Sequence, residues 1–135
     1  PDYRAEVCFD NATRANLGGL RHWERIYLGL ALLHRYRNKR EGNRFEDLYA
    51  LLDGTLQQEA EVLGKALRFG AMLWMAEDRA SRPQIRWQAK TKVLTLHIAP
   101  DTAPLYGEVA EARLQSLADA LGGNVKIDIG PLPNG

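Results

Sequence analysis

Apolar positions recur with a helical period up to Pro83, after which the period shortens to two. Tyr3 to about Thr13 reads as a short helix, closed by Asn16-Leu17-Gly18-Gly19, where paired glycines admit the left-handed backbone of a helix end. A second helix is predicted from about Arg21 to Arg37. Its centre, Ile26 to Leu33, is apolar on every side, so it is expected to be packed all round. A polar link from Asn38 to Asn43 leads to a short helix over Phe45–Leu52, which Asp53-Gly54-Thr55 breaks while capping the next. In that next helix Leu56, Ala60, Leu63, Leu67, Gly70 and Trp74 form one inward stripe, with Val62, Ala66, Phe69 and Leu73 beside it. Ser81-Arg82-Pro83 ends it near Glu77.

Beyond Pro83, Ile85, Trp87 and Ala89 alternate with Arg86, Gln88 and Lys90, and Leu94, Leu96 and Ile98 alternate with Thr95 and His97. This is the pattern of two half-buried strands, most economically a hairpin. The turn near Thr91 lacks the glycine or asparagine that usually supplies positive φ, which leaves the register open. After a loop over Pro100–Pro104, Gly107 to Leu121 reads as a helix with Ala110, Leu114, Leu117 and Leu121 on one side. Gly122-Gly123 stops it, and Val125, Ile127 and Ile129 mark a third strand. Helices followed by β-β-α-β make an α+β fold, divided as a helical part over 1–82 and a small α+β part over 83–135 packed on it.

Composition narrows the class. With 45% hydrophobic and 26% charged residues, the chain has neither the bias of a disordered segment nor that of a disulfide scaffold. Cys8 stands alone, so an internal disulfide and a thiolate metal site are both excluded, and a reducing cytoplasm is the expected compartment. The longest apolar run, Ile26 to Leu33, is far short of the roughly 20 residues that cross a bilayer, so no membrane partner is expected. The chain opens at Pro1, without methionine, and is expected to be a piece of a longer protein. Net charge is +1 but uneven: Arg21, Arg25, Arg35, Arg37, Lys39, Arg40 and Arg44 oppose only Glu24 and Glu41 over residues 21–44. Such a basic zone suits a polyanion.

Catalytic motifs are absent. There is no Walker-type phosphate loop, Gly-x-Ser-x-Gly elbow, dinucleotide fingerprint or His-Asp dipeptide, and His22, His34 and His97 lack partners at metal-binding spacing. The carboxylates at Glu46-Asp47, Glu59/Glu61 and Glu77-Asp78 read as solvated helix faces, with Lys65 paired to Glu61 at i+4; Lys65 and Arg68 share that face and read mainly as surface, with phosphate binding as the alternative. For the basic zone two accounts stand side by side. Cations at a helix C-terminus are favoured by its dipole, which accounts for Arg35 and Arg37; guanidinium forks also suit phosphate oxygens. Trp23, Tyr27 and Tyr36 lie among these residues as a stacking surface would, but Trp23 and Tyr27, at i and i+4 beside an apolar segment, are expected in the core. Trp74 and Trp87 fall on inward faces, and His34 reads as a helix-end or core histidine.

The runs Tyr3-Arg4-Ala5-Glu6, Gly18-Gly19-Leu20-Arg21-His22, Glu24-Arg25-Ile26-Tyr27-Leu28-Gly29-Leu30-Ala31-Leu32-Leu33 with Arg35-Tyr36-Arg37, and Glu61-Val62-Leu63-Gly64-Lys65-Ala66-Leu67-Arg68 resemble the C-terminal region of bacterial exopolyphosphatases, in the exopolyphosphatase/guanosine pentaphosphatase family. The resemblance covers nearly the whole chain. It implies a degenerate HD-type helical part followed by a small α+β part, preceded in the parent enzyme by two actin-like domains that carry the phosphate loops, a catalytic glutamate and magnesium. No catalytic residue and no cofactor is expected in this segment. The role it implies is to grip inorganic polyphosphate in a basic channel and to form a homodimer, with Arg21, His22, Arg25, Arg35, Arg37, Lys39 and Arg40 as candidate phosphate-binding residues. Hydrolysis of pppGpp, a nucleic-acid-binding module and a purely structural dimerisation module are the competing readings.

Overall fold

The computed structural model describes residues 2–14, 18–37, 45–73 and 82–133. Among the described residues the N-terminal part forms the helices α1 (Asp2–Arg14), α2 (His22–Tyr36), α3 (Glu46–Tyr49) and α4 (Gly54–Leu73). Its C-terminal half forms β1 (Gln84–Gln88), β2 (Val93–Ile98), α5 (Glu108–Leu121) and β3 (Asn124–Ile129), with a short 3₁₀ turn at Ala103–Leu105. The fold is α+β in the order that the change of period predicts. The chain divides into two compact units, Pro1–Arg68 and Phe69–Gly135.

In the first unit Ala5, Phe9 and Ala12 recur on one side of α1 and are buried, while Tyr3 points to solvent. Phe9 is the centre of the packing. Its ring stacks on Phe45 at 4.5 Å, meets Tyr49 edge-on at 6.2 Å, and lies over Gly29 of α2. Ile26, Leu30, Ala31, Leu33, Leu52 and Ala60 complete this core. The break between α3 and α4 is held by two side chains. Gln57 donates through Nε2 to the carbonyls of Tyr49 (3.1 Å) and Leu52 (2.9 Å), and Asp53 Oδ1 accepts the Leu56 N–H at 2.8 Å, the capping that Asp53-Gly54-Thr55 signals.

Two packing expectations need correction. The α2 helix is not packed all round: Ile26, Gly29, Leu30, Ala31, Leu33 and His34 are buried, whereas Tyr27, Leu28 and Leu32 are half-buried, because its neighbours cover only part of its circumference. The inward stripe of α4 is turned by one residue. Ala60, Gly64, Lys65 and Phe69 are buried, while Leu63 and Leu67 are 39% and 38% exposed. Gly64 is the cause, since its Cα sits so close to α2 that a Cβ would meet the Ala31 carbonyl oxygen and stand 2.5 Å from the His34 Cβ. The 38–44 link, Trp74 and the helix end near Glu77 lie outside the described residues.

In the second unit β1 and β2 form the expected antiparallel hairpin, with Ile85 opposite Leu96 and Trp87 opposite Leu94. The register is settled by Lys92, which takes φ +52 in place of a glycine. The β3 strand joins β2 in parallel, with Leu94, Leu96 and Ile98 opposite Val125, Ile127 and Ile129, so the sheet order is β1-β2-β3. These residues share one face. Ala110 and Leu114 of α5 line a cavity of about 100 Å³ with Leu96, Ile98, Ile127 and Ile129 on that face. Gly122, at φ +71, ends α5. The Trp87 ring lies half-buried over Gly123. The opposite face is polar, with Arg86, Thr95 and Lys126 in one row and His97 Nδ1 3.2 Å from Asp128 Oδ2.

Candidate anion-binding site

The basic residues are placed by α2 and fall into two groups at its ends. At the N-terminal end Arg21 is the cap residue in extended backbone, and its N–H donates to Glu24 Oε1 at 3.3 Å while its carbonyl accepts the Arg25 N–H at 3.1 Å. Arg21 and His22 are exposed and Arg25 is half-buried. At the other end the Arg35 guanidinium lies over the Tyr36 ring, 5.4 Å from its centroid, and Arg4 of α1 approaches the same ring at 5.7 Å. Arg37 caps the helix, donating its N–H to the Leu33 carbonyl at 2.8 Å, and its guanidinium is 3.9 Å from the Glu6 carboxylate. Arg37 therefore ties α1 to α2. Lys39 and Arg40 lie outside the described residues.

Successive residues of a helix turn by about 100°, which places Arg25, Leu28, Leu32 and Arg35 on one face at i, i+3, i+7 and i+10. The rise of 1.5 Å per residue separates Arg25 from Arg35 by roughly 15 Å, and Arg21 extends the line to about 20 Å. The result is a ridge with guanidinium groups at both ends and half-buried leucines between them. Arg37, two positions beyond Arg35, turns about 200° away from it.

A flank of α2 that meets the ridge at Leu28 carries a feature that sequence reasoning missed. Trp23, assigned to the core, is 45% exposed. With Leu20, Tyr27, Leu28 and Leu56 it lines an apolar groove of about 380 Å³, edged by Glu24 and Glu59. Burial, aided by the Glu59 charge, raises the Tyr27 hydroxyl pKa above its usual value near 10. An i, i+4 aromatic pair signals an apolar surface without saying whether anything covers it. Lys65 is the converse case: assigned to the surface, it is only 8% exposed, and its Nζ pairs with Glu61 Oε1 at 2.9 Å. The i+4 spacing gave the pair, but its burial follows from the rotation of α4 about Gly64. His34 is a core histidine.

Among the described residues, no group of three His, Cys, Asp or Glu side chains is placed to hold a metal ion, and no helix is long and apolar enough to cross a membrane. No individual curated protein matches the sequence significantly. A family model described as exopolyphosphatase, C-terminal, matches residues 1–127. With helices and sheet in the expected order and that match spanning nearly all of its length, the chain belongs to the exopolyphosphatase C-terminal family.

Proposed function

We propose that this chain is the non-catalytic C-terminal region of an enzyme that removes terminal phosphate from inorganic polyphosphate, that it binds the polyphosphate chain along α2, and that it takes part in a homodimer. The observation that carries the binding role is the ridge of Arg21, Arg25 and Arg35, whose length of about 20 Å suits an extended polyanion better than a single phosphate. Guanidinium forks give each end strong, oriented donors for phosphate oxygens. The chain's own residues would position the polymer. Water activation and magnesium would belong to the actin-like domains that the resemblance implies.

Two observations weigh against a nucleic-acid platform on the same helix. The Tyr36 ring is already engaged by Arg4 and Arg35, and Trp23 stands about 160° around α2 from Arg25, so neither ring offers a base an open stacking face beside that guanidinium. Titration with long-chain polyphosphate at low salt tests the proposal. The Arg25→Ala/Arg35→Ala double variant is expected to bind about tenfold more weakly, as befits the loss of two charged contacts partly screened by solvent. Arg14→Ala, whose exposed guanidinium pairs with Asp10 at 2.7 Å, serves as the charge control. Equal binding by all three proteins would remove the ridge from the proposal.

A further inference from the structure

The β3 strand ends the sheet, and its outer side carries no strand among the described residues. Its backbone shows which residues could pair outward. Asn124 donates to the Lys92 carbonyl at 2.8 Å and Gly130 to the Ile98 carbonyl at 3.0 Å, so the even-numbered residues of β3 direct their N–H and C=O groups toward β2. Backbone direction alternates along a strand, which leaves the peptide groups of Val125, Ile127 and Ile129 pointing outward. The same three residues carry the apolar face. Ile127 and Ile129 are 38% and 59% exposed, and beside them a groove of about 400 Å³ is lined by Val125, Ile127, Ala112, Gln115, Glu108 and Glu111. An exposed apolar strand edge is a template for another strand.

Charge selects the strand that fits. An antiparallel partner must place outward-facing residues opposite outward-facing residues, and for a second copy of β3 only a few two-fold registers do so. Centring on Ile127 sets Ile127 against its own counterpart and Val125 against Ile129 of the second copy. It also places Lys126 against Asp128 in both directions across the polar face. A shift of the axis by one residue either way puts Lys126 against Lys126 or Asp128 against Asp128, which repel. Asp128 is 53% exposed in its side chain even while it pairs with His97, so its carboxylate has room for a lysine of a second copy.

We propose that two copies of this chain join antiparallel through β3, with the two-fold axis at Ile127. The central register provides up to six backbone hydrogen bonds from the outward groups, two crossed ion pairs on one face and a continuous row of branched apolar side chains on the other. This deepens the homodimer part of the proposed function and is independent of polyphosphate binding.

Sedimentation equilibrium of the full chain, with circular dichroism as the check on folding, is the test. Wild type is expected to dimerise; Lys126→Asp is expected to dissociate about tenfold more readily, because two attractions become two repulsions. The exchanged variant Lys126→Asp/Asp128→Lys should return to within about threefold of wild type, since the pairs are restored with reversed sign. In a Cys8→Ser background, Ile127→Cys copies should cross-link through a short bis-maleimide, because directly opposed Cα atoms lie about 5.5 Å apart. A wild-type dimer that Lys126→Asp leaves unchanged, that the exchange fails to rescue, or that Ile127→Cys does not cross-link overturns the β3 pairing while leaving a homodimer by another surface. A chain that stays monomeric at every concentration overturns both.

Discussion

Gly64 is a position where a missing methyl group governs the packing of a helix. Alanine is the better helix former by about 1 kcal/mol, yet an added Cβ there would meet the Ala31 carbonyl and crowd the His34 Cβ. Both obstacles belong to the α2 core, not to the far end of a flexible side chain, so the strain of overpacking outweighs the propensity gain. Gly64→Ala is expected to lower stability by about 1–3 kcal/mol, read as a reduced urea midpoint with an unchanged slope. An unchanged or raised midpoint would show that the helices yield at that point. Residue-scale burial was the least legible part of the sequence. Leu63 and Leu67 complete a regular apolar stripe on paper, and Lys65 reads as half of a surface pair. What reverses them is how closely α4 approaches α2, which depends on a neighbour distant in the chain.

Elements were more legible because their signals are local. Asp53 beside Gly54 announces the cap that the Leu56 N–H uses, Gly122 takes the left-handed backbone that ends α5, and the alternation around Ile85 and Leu96 gives both strands and their inward face. The hairpin turn was legible in place but not in register, since no residue there is one that readily adopts positive φ. Lys92 adopts it, and its carbonyl also accepts the Asn124 N–H that starts β3. A β-branched side chain tolerates that backbone poorly, so Lys92→Val is expected to cost about 1–2 kcal/mol, with Lys92→Gly close to wild type in thermal unfolding. Equal losses in both variants would place the cost in the side chain instead of the backbone. The candidate site was legible as a basic zone, but not as a ridge. Sequence groups Arg35 with Arg37, whereas helical geometry pairs Arg35 with Arg25 and leaves Arg37 to Glu6.

Across the whole molecule, each unit contains a tyrosine whose ionisation burial opposes: Tyr27 in the first and Tyr106 in the second. Tyr106 is the sharper case, because its hydroxyl is buried without a hydrogen-bond partner among the described residues. A folded-state pKa raised above the unfolded value near 10 gives a contribution fully present below pH 10 and lost as pH climbs, because the unfolded chain ionises first. Stability should therefore fall as pH rises from about 10 upward, and the fall should be shallower in Tyr106→Phe, which is expected to match or slightly exceed wild type at neutral pH. Urea midpoints across that range decide it; an identical slope in both proteins would exclude the tyrosine.

The sheet has two ends, and they are unlike. Pro83 precedes β1 with no N–H to offer, the strand is only five residues long, and charged Arg86 sits at its middle. Such an end discourages addition, whereas β3 invites it. Growth confined to one end can happen once. Joined copies would present β1 at both margins of a six-stranded sheet, so the contact closes on itself, and the outcome is a finite particle instead of a fibre.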